Sequence, residues 1–300
     1  MCNSPLVAMK LENVYTKSGK NKVVVLGGLA AREHLEFGDS SQLNTPFLIP
    51  CGKCVSCRIK HSREWAVRCC HEASLYEKNC FITLTYNNEH LPSDKSLHLE
   101  HWQKFMKRFR KKYGEGIRFF MCGEYGSVNA RPHYHACIFG FDFPDKEIWQ
   151  VREKIPLYRS HSLEKLWPFG FSTIGEVTFE SAAYVARYIF KKITGDKAAE
   201  HYNGRKPEFI TMSRRPGIAH DWFLKNERDI YSNDFLIDQK KHKIRPLRYY
   251  DHLMEIYSPD EYYILKKQRL ENLSKIDSFQ RMQDKEKFKK YQLKKLVRPL

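Results

Sequence analysis

The sequence predicts an α+β protein in which helices flank a central antiparallel β-sheet. Segments of strand and helix character follow the order β-α-β-β-α-β-α, and the two central strands are joined by a short polar connection typical of a hairpin. The glycine-rich phosphate loop, the dinucleotide-binding fingerprint and the nucleophile elbow of hydrolases do not occur in the sequence. A fused P-loop ATPase or helicase is therefore excluded.

Hydrophobic periodicity and turn residues place each element. A hairpin is expected near residues 23–26 within an irregular arm, and the segment 145–167 is expected to be helical in part. Beyond residue 207 the chain is mixed and basic, and we expect helices there. The other predicted elements are a helix at 58–78, a strand at 81–86, a helix at 100–113, strands at 117–123, 133–141 and 171–179, and a helix at 181–193.

The helix predicted at 100–113 combines an apolar stripe with a strongly basic remainder. Trp102, Phe105 and Phe109 recur at helical spacing, and Gly114 is a natural end for the helix. The basic side chains form either a solvated surface or a row that follows a DNA backbone, and both interpretations remain open. The side chains assigned to DNA in the second interpretation are Lys107, Arg108, Lys111 and Lys112.

The charge balance favours a polyanionic partner. The 300 residues include 52 Lys and Arg against 35 Asp and Glu, which gives a formal net charge of +17. Such a surface binds nucleic acid by neutralising phosphates, although a merely soluble basic protein is the alternative. Residues 240–300 hold 17 basic and 8 acidic side chains, so +9 of the charge lies in the last fifth of the chain. The longest apolar run, at 23–31, is too short to cross a membrane.

Nine cysteines without a secretory segment indicate reduced thiols in a cytosol rather than a disulfide framework. Cys51, Cys54 and Cys57 have the C-x2-C-x2-C spacing that suits zinc thiolates. The candidates for a fourth ligand are Cys69, Cys70 and His71. A zinc knuckle and plain thiols in a structural turn are equal alternatives.

Two histidines occupy alternate positions of a predicted strand. Because side chains alternate along a strand, His133 and His135 share one face, where two imidazoles suit a metal ion. Glu124 ends the neighbouring strand, and the hairpin brings it beside His133, so the three side chains make a candidate metal site. Two structural histidines near a surface glutamate are the alternative.

The helix predicted at 181–193 carries two tyrosines. Tyr184, Tyr188 and Lys191 lie along one stripe, with Arg187 near its edge. Aromatic pairs at this spacing are usually buried, but a buried stripe would avoid a lysine. A cation beside a phenol favours the phenolate, so the stripe suits either the core or an anionic reaction.

Three of these segments together resemble the rolling-circle replication initiators of the HUH endonuclease superfamily. The segments are Phe-Ile-Thr-Leu-Thr-Tyr at 81–86, Arg-Pro-His-Tyr-His-Ala at 131–136 and Tyr-x-x-Arg-Tyr-x-x-Lys at 184–191, in the expected order. The cysteine motif at 51–58, with Trp65, is similar to the N-terminal signature of the gokushovirus-type Microviridae replication proteins. The resemblance covers about residues 50–195, and Arg187 departs from it where some relatives have lysine.

The resemblance implies an origin-nicking and strand-joining DNA endonuclease with a 5′-phosphotyrosine intermediate. The two histidines and Glu124 would hold Mg²⁺ or Mn²⁺, and Tyr184 or Tyr188 would attack the scissile phosphate. Lys191 would stabilise the phenolate or the phosphate, and Arg187 would contact DNA. The expected partners are a single-stranded DNA origin and the host helicase and polymerase, in the cytoplasm of a bacterial host and without a membrane.

The fold that the resemblance implies is a ferredoxin-like nuclease sheet with added terminal segments. We expect an N-terminal arm at 1–50, a nuclease core at 51–206 that includes the cysteine-rich segment, and a basic, mostly helical extension at 207–300. Two other function classes remain. A non-catalytic nucleic-acid-binding protein with a zinc knuckle would bind without cleaving, and a metal hydrolase using activated water would cleave without a covalent adduct.

Overall fold

The computed structural model describes most of the chain, in two compact units. The described residues are 2–17, 19–29, 35–38, 42–126, 129–152, 154–187, 193, 197–239, 241–272 and 279–295. The first unit comprises residues 1–61 and 251–300, and the second comprises residues 62–250. None of the described helices is long and apolar enough to cross a membrane.

The elements are numbered in chain order. The strands are β1 (Leu6–Tyr15), β2 (Asn21–Gly28), β3 (Pro46–Ile49), β4 (Asn79–Tyr86), β5 (Arg118–Tyr125), β6 (Pro132–Phe139), β7 (Lys146–Arg152), β8 (Ile155–Ser160), β9 (Gly170–Gly175), β10 (Phe209–Met212), β11 (Leu236–Ile237) and β12 (Lys243–Ile244). The helices are α1 (Val55–Ala73), α2 (Leu99–Tyr113), α3 (His161–Leu166), α4 (Phe179–Arg187), α5 (Lys197–Tyr202), α6 (His220–Asn233), α7 (Arg248–Tyr257), α8 (Pro259–Glu271) and α9 (Phe279–Lys295).

The second unit is built on a seven-stranded antiparallel sheet, which confirms the predicted α+β class. Its strand order is β10-β5-β6-β4-β9-β8-β7, and the β5–β6 hairpin forms as expected. Helix α2 ends at Gly114, whose φ of 101° is easily adopted by glycine. The sequence pattern therefore predicts the central elements well.

One face of this sheet carries the hydrophobic core. Strand β4 alternates strictly between buried and half-buried side chains, with Ile82 and Leu84 pointing into the core. The apolar stripe of α2, which includes Trp102 and Phe105, belongs to the same buried cluster, as does Leu163 of α3. Helices α2 and α3 thus cover this face.

The opposite face presents aligned rows of side chains, because directly paired residues in a sheet point the same way. One row runs Glu124, His133, Thr85 and Phe171 across β5, β6, β4 and β9, and the next contains His135 and Thr83. A third row holds Phe120, on which Trp65 of α1 stacks at a centroid distance of 4.6 Å. Helix α1 covers the third row and α4 packs against β5 and β6, while the row that ends at Phe171 reaches solvent.

Two stretches differ from the prediction. The segment expected to be partly helical forms the β7–β8 hairpin, and only α3 at its end is helical. Its exposed apolar side chains alternate with polar ones along an edge strand, a pattern that periodicity over a longer window missed. In addition, β10 pairs with β5, so the central sheet extends beyond residue 206, where the C-terminal extension was expected to begin.

The first unit has its own small sheet and core. Strands β1, β2 and β3 form an antiparallel sheet in which the predicted N-terminal hairpin is present. Met282 of α9 packs with Val7 and Leu29 in a buried cluster. The terminal part of the chain is thus helical as expected, in the described helices α8 and α9.

Candidate functional site

The sheet brings the two predicted histidines and the glutamate together. Glu124 pairs directly with His133 across the β5–β6 hairpin, and His135 lies one row further along β6. The two imidazole rings are nearly parallel, with centroids 6.1 Å apart. Glu124 is only 3% exposed and His135 7%, whereas His133 is half-buried at the open end. The predicted cluster therefore forms, with one side accessible to solvent.

A hydrogen bond on Nδ1 orients each imidazole. The Nδ1 atom of His133 lies 2.5 Å from the carbonyl oxygen of Arg131, which requires an N–H on that nitrogen and leaves Nε2 with a lone pair. The Nδ1 atom of His135 lies 2.9 Å from Oγ1 of Thr83, the residue paired with it on β4. A hydroxyl can donate or accept, so Thr83 serves both tautomers of His135.

Glu124 links the histidine pair to a tyrosine. Its Oε1 lies 2.9 Å from Nε2 of His135 and accepts a hydrogen bond of 3.2 Å from the hydroxyl of Tyr184. The Tyr184 ring also meets the His135 ring edge to face, at a centroid distance of 5.0 Å. A phenol, a carboxylate and an imidazole are therefore in direct contact on one face of the sheet.

Helix α4 holds Tyr184 at this place. Thr178 caps the helix, since its Oγ1 accepts from the backbone N–H of Ser181 while the Ser181 hydroxyl accepts from the N–H of Thr178. The buried side of α4 consists of small residues, Ala182, Val185 and Ala186, which allow a close approach to the sheet. A hydrogen bond of 3.0 Å from the Ser62 hydroxyl to the carbonyl oxygen of Ala183 fixes α4 against α1.

The rest of the predicted tyrosine motif is only partly described. Arg187 is exposed, and its guanidinium carbon lies 5.8 Å from the centroid of the Tyr184 ring. Tyr188 and Lys191 lie outside the described residues. The first tyrosine of the pair is thus positioned at the histidines, and the roles of Tyr188 and Lys191 stay predictions.

Burial affects the protonation of the open histidine. Desolvation lowers the pKa of His133, and the nearby His135 lowers it further, although the Arg131 carbonyl and Glu124 act in the opposite sense. The neutral ring is therefore favoured at neutral pH. Since a neutral imidazole is the form that binds metal ions, the environment of His133 suits a ligand.

The donor set fits a divalent cation without being closed around one. His135 and Glu124 are in contact, and His133, whose ring lies parallel to that of His135, offers the lone pair of its Nε2. Two nitrogens and a carboxylate oxygen suit Mn²⁺, and Mg²⁺ is favoured by the oxygen and by phosphate. Thr83 and the Arg131 carbonyl would act as the outer partners that orient the ligands.

The basic residues of α2 are not at this site. Helix α2 covers the core face, opposite to the histidines. Arg108 donates to the carbonyl oxygen of Leu166 through Nε and Nη2, and Nζ of Lys112 lies 3.3 Å from Oγ of Ser162. The predicted DNA contacts of Lys107, Arg108, Lys111 and Lys112 therefore remain a prediction about a different surface.

The predicted cysteine motif gathers into a cluster in the first unit. The sulfur atoms of Cys2, Cys51, Cys54 and Cys57 all lie within 4.8 Å of one another, and among the described residues this is the one group of at least three His, Cys, Asp or Glu ligands so close together. The Sγ atom of Cys2 lies 3.4 Å from that of Cys51 and 3.7 Å from that of Cys54. These separations are far longer than a disulfide bond, and all nine cysteines are thiols. The cluster could hold a metal ion.

The fourth member of the cluster differs from the prediction. Cys2 completes it, whereas the candidates at 69–71 belong to the second unit, where Cys69 is buried and His71 contacts Tyr250. Nothing in the local spacing links Cys2 to a motif 49 residues away, because the pairing of β1 with β3 brings the two segments together. Thr83 was also missed, although the alternation of β4 placed it on the histidine face.

Known proteins resemble this chain along most of its length. The family model of the ORF2-type replication-associated protein matches residues 79–193. The replication-associated protein ORF2 of Spiroplasma virus 4 is 34% identical over 279 residues, which cover 84% of this chain and 85% of the relative. No solved structure matches the chain significantly.

Two further relatives come from other phages. The replication-associated protein VP4 of Bdellovibrio phage phiMH2K is 33% identical over 64% of this chain and 62% of its own length. The replication-associated protein ORF4 of Chlamydia phage 1 is 32% identical over 75% of this chain and 59% of its own length. With the family model matching the segment that holds Glu124, both histidines and Tyr184, the chain belongs to the replication-associated proteins of small single-stranded-DNA phages.

Proposed function

We propose that the protein initiates rolling-circle replication by nicking single-stranded DNA at an origin and later rejoining the strand. The observation that carries this proposal is the contact chain from the Tyr184 hydroxyl through Glu124 to His135. A tyrosine in this position has no structural need for a half-open histidine site, but it suits a nucleophile that must reach a phosphodiester. Family membership supports a role in replication.

The reaction we infer is an exchange of phosphoesters. The Tyr184 oxygen forms a bond to the scissile phosphorus, the bond from phosphorus to the 3′ oxygen breaks, and the 3′ oxygen leaves with a proton as a hydroxyl. The hydrogen bond to Oε1 of Glu124 allows that carboxylate to take the phenolic proton. One phosphodiester becomes one phosphotyrosine ester, so the bond energy is kept and no nucleotide cofactor is needed.

His133, His135 and Glu124 would hold Mg²⁺ or Mn²⁺ in this scheme. When bound, the ion would polarise the phosphate and offset the negative charge that develops on it. Arg187, exposed beside the tyrosine ring, would contact the DNA strand. Tyr188 would act in the second cut that ends a round of replication, with Lys191 stabilising the phenolate or phosphate.

The free 3′ hydroxyl would prime a host polymerase, and a host helicase would unwind the template in the bacterial cytoplasm. The candidate DNA contacts on α2 lie on the far face of the sheet, so they would bind DNA away from the cleaved bond. Their four positively charged side chains would add a salt-dependent, sequence-independent attraction.

For the cysteine cluster we propose a structural Zn²⁺. A tetrahedral zinc with bonds of about 2.3 Å places its sulfurs roughly 3.8 Å apart, close to the 3.4 and 3.7 Å found here. Backbone N–H groups of Asn3, Cys51 and Cys54 donate to the sulfurs, as thiolates require. Although burial opposes it, these and neighbouring hydrogen bonds lower the pKa of Cys54 to about 7.

The nucleophile is tested with origin-containing single-stranded DNA and Mn²⁺. Wild type should give denaturant-resistant protein–DNA adducts, and Tyr184→Phe combined with Tyr188→Phe should abolish them, because phenylalanine lacks the attacking oxygen. The matched control is Tyr263→Phe, which removes a hydroxyl from an exposed tyrosine of α8 and should leave adduct formation unchanged. Mass spectrometry of the linked peptide then identifies the attached residue.

The outcomes separate the competing functions. Adducts that survive the double substitution would refute the tyrosine nucleophile. Cleavage that needs metal but yields no adduct would instead indicate activated water, and salt-dependent binding that ignores chelator and never cleaves would indicate a non-catalytic binding protein.

A further inference from the structure

An exposed aromatic side chain ends the row that contains the metal-site residues. Phe171 of β9 pairs with Thr85, which pairs with His133, which pairs with Glu124. Its neighbours in β9, Ser172 and Ile174, point into the core, but Phe171 is 60% exposed. Because adjacent strands are about 4.8 Å apart, the Phe171 backbone lies roughly 10 Å from that of His133.

The backbone fixes the position of this ring closely. Gly170 has a φ of 155°, and a Cβ there would lie 2.3 Å from the backbone nitrogen of Asn87, so the start of β9 needs glycine to approach β4. The backbone N–H of Asn87 also donates to the carbonyl oxygen of Phe169 at 2.9 Å. Phe171 is thus held beside the site by a rigid strand rather than by a loop.

A groove adjoins the exposed ring. It has a volume of about 480 Å³, which is large enough for a nucleotide-sized group. Arg131 lies in its wall and is itself fixed by hydrogen bonds to the Tyr86 carbonyl and the Asn88 side chain. The groove residues used here are Phe171, Thr85, Asn88, Glu89 and Arg131.

We propose that Phe171 is the stacking platform for a nucleobase next to the scissile phosphate, with Arg131 beside that nucleotide. This inference rests on the proposed function and specifies how its DNA substrate is held. Aromatic rings bind single strands by stacking on bases, which every nucleotide offers. Glu89 in the same groove would repel a phosphate but can accept a hydrogen bond from an amino group of a base, so a base is the better occupant.

The test measures binding and cleavage separately for four variants. Phe171→Ala and Phe171→Leu remove the ring, Phe171→Trp keeps an aromatic surface, and Phe288→Ala removes a phenylalanine of similar exposure, 62%, from α9. Affinity for a fluorescein-labelled oligo(dT) is measured by anisotropy with chelator present. Nicking of origin DNA with Mn²⁺ gives kcat and KM.

We expect Phe171→Ala and Phe171→Leu to weaken binding roughly tenfold or more, since loss of base–aromatic stacking has effects of that order. Phe171→Trp and Phe288→Ala should bind as wild type does. The loss should appear in KM, with kcat at saturating DNA nearly unchanged. It should leave the slope of log Kd against log salt unchanged, because stacking neutralises no phosphate, whereas Arg131→Ala should reduce that slope.

A Phe171→Leu protein that binds as tightly as wild type would overturn the platform, because an apolar side chain without a ring would then suffice. So would an unchanged affinity in Phe171→Ala. These results differ from failure of the proposed function, in which the wild-type protein itself neither nicks origin DNA nor forms an adduct.

Discussion

Glu124 is the residue on which the chemistry of the site depends. It is nearly buried, and a carboxylate in such a place is costly unless it is paired. It has two partners of different character, the imidazole of His135 and the phenol of Tyr184. Its carboxylate joins the sheet part of the site to the helix part by hydrogen bonds, so its position determines whether the tyrosine can work with the histidines.

Thr83 is a positioning residue for His135, and its hydroxyl can be tested alone. Thr83→Val keeps the shape but removes the partner of Nδ1, so the ring loses its orienting hydrogen bond. We expect the apparent affinity for Mn²⁺ in the nicking reaction to fall about 10- to 100-fold, as for other outer partners of metal ligands. Titration of Mn²⁺ at saturating DNA measures the change.

Two comparisons make the Thr83 result specific. Thr83→Ser should restore the Mn²⁺ dependence, because the hydroxyl returns. Thr173→Val changes the next threonine in the same row, one strand further from His135, and should behave as wild type. An equal loss in Thr83→Val and Thr173→Val would show that only general packing of the sheet was disturbed.

At the scale of elements, the local sequence pattern predicted what the sheet needs and missed what distant pairing adds. The alternation in β4 and β6 and the stripe of α2 gave the central strands, the face of both histidines and the end of α2 at Gly114. The pairing of β10 with β5 and the arrival of Cys2 at the cysteine motif depend on contacts between distant segments. Periodicity within a short window carries no signal for either.

Helix α4 shows how an element carries function through its ends and its small residues. The capping pair of Thr178 and Ser181 sets where the helix begins, and Ala182 and Ala186 let it approach the sheet. The sequence predicted a helix here with a capping residue near its start. The side of the helix that meets Glu124 follows from the Tyr184 position within α4 and could be placed only with the sheet.

The cysteine cluster predicts a metal that depends on Cys2. If Zn²⁺ binds there, Cys2→Ser and Cys54→Ser should each lower the zinc content of purified protein below one half per chain. Four crowded thiols ionise together only around a cation, and serine removes one thiolate. Cys70→Ser is the matched control, since this half-buried thiol of the second unit lies outside the cluster.

Metal analysis by atomic emission, with the thermal midpoint as a second measurement, decides this prediction. Loss of zinc should lower the midpoint, because metal binding contributes to folding free energy. Equal zinc content in wild type, Cys2→Ser and Cys54→Ser would show that the cluster consists of plain thiols. Zinc loss in Cys54→Ser alone would remove Cys2 from the ligand set.

At the scale of the whole chain, charge and chemistry are separated in space. The sheet of the second unit has its buried core and the basic helix α2 on one face, and the histidines, Glu124 and Tyr184 on the other. A net charge of +17 attracts DNA from any direction, but it does not select the strand to be cut. Selection must come from the histidine face, where the row that ends at Phe171 is open.

The stability of the second unit should fall below pH 6.5 because of one buried histidine that joins three helices. His71 of α1 stacks on Trp222 of α6 at a centroid distance of 3.5 Å, and its Nδ1 lies 2.7 Å from the hydroxyl of Tyr250 in α7. Burial lowers the pKa of His71 to about 4. In the unfolded chain its pKa is about 6.5, so between these values the unfolded state binds more protons and acid favours unfolding.

This contribution is complete above pH 6.5 and is lost as the pH falls toward 4. Between pH 6.5 and pH 5 it amounts to about 2 kcal/mol, since each pH unit in this range is worth 1.36 kcal/mol per proton. His71→Gln keeps a polar partner for Tyr250 but cannot titrate, so its free energy of unfolding should fall less between pH 7 and pH 5 than that of wild type. Urea unfolding at the two pH values measures the difference. Equal decreases in both proteins would mean that His71 does not remain neutral in the fold, and that the acid sensitivity of the unit arises from its carboxylates.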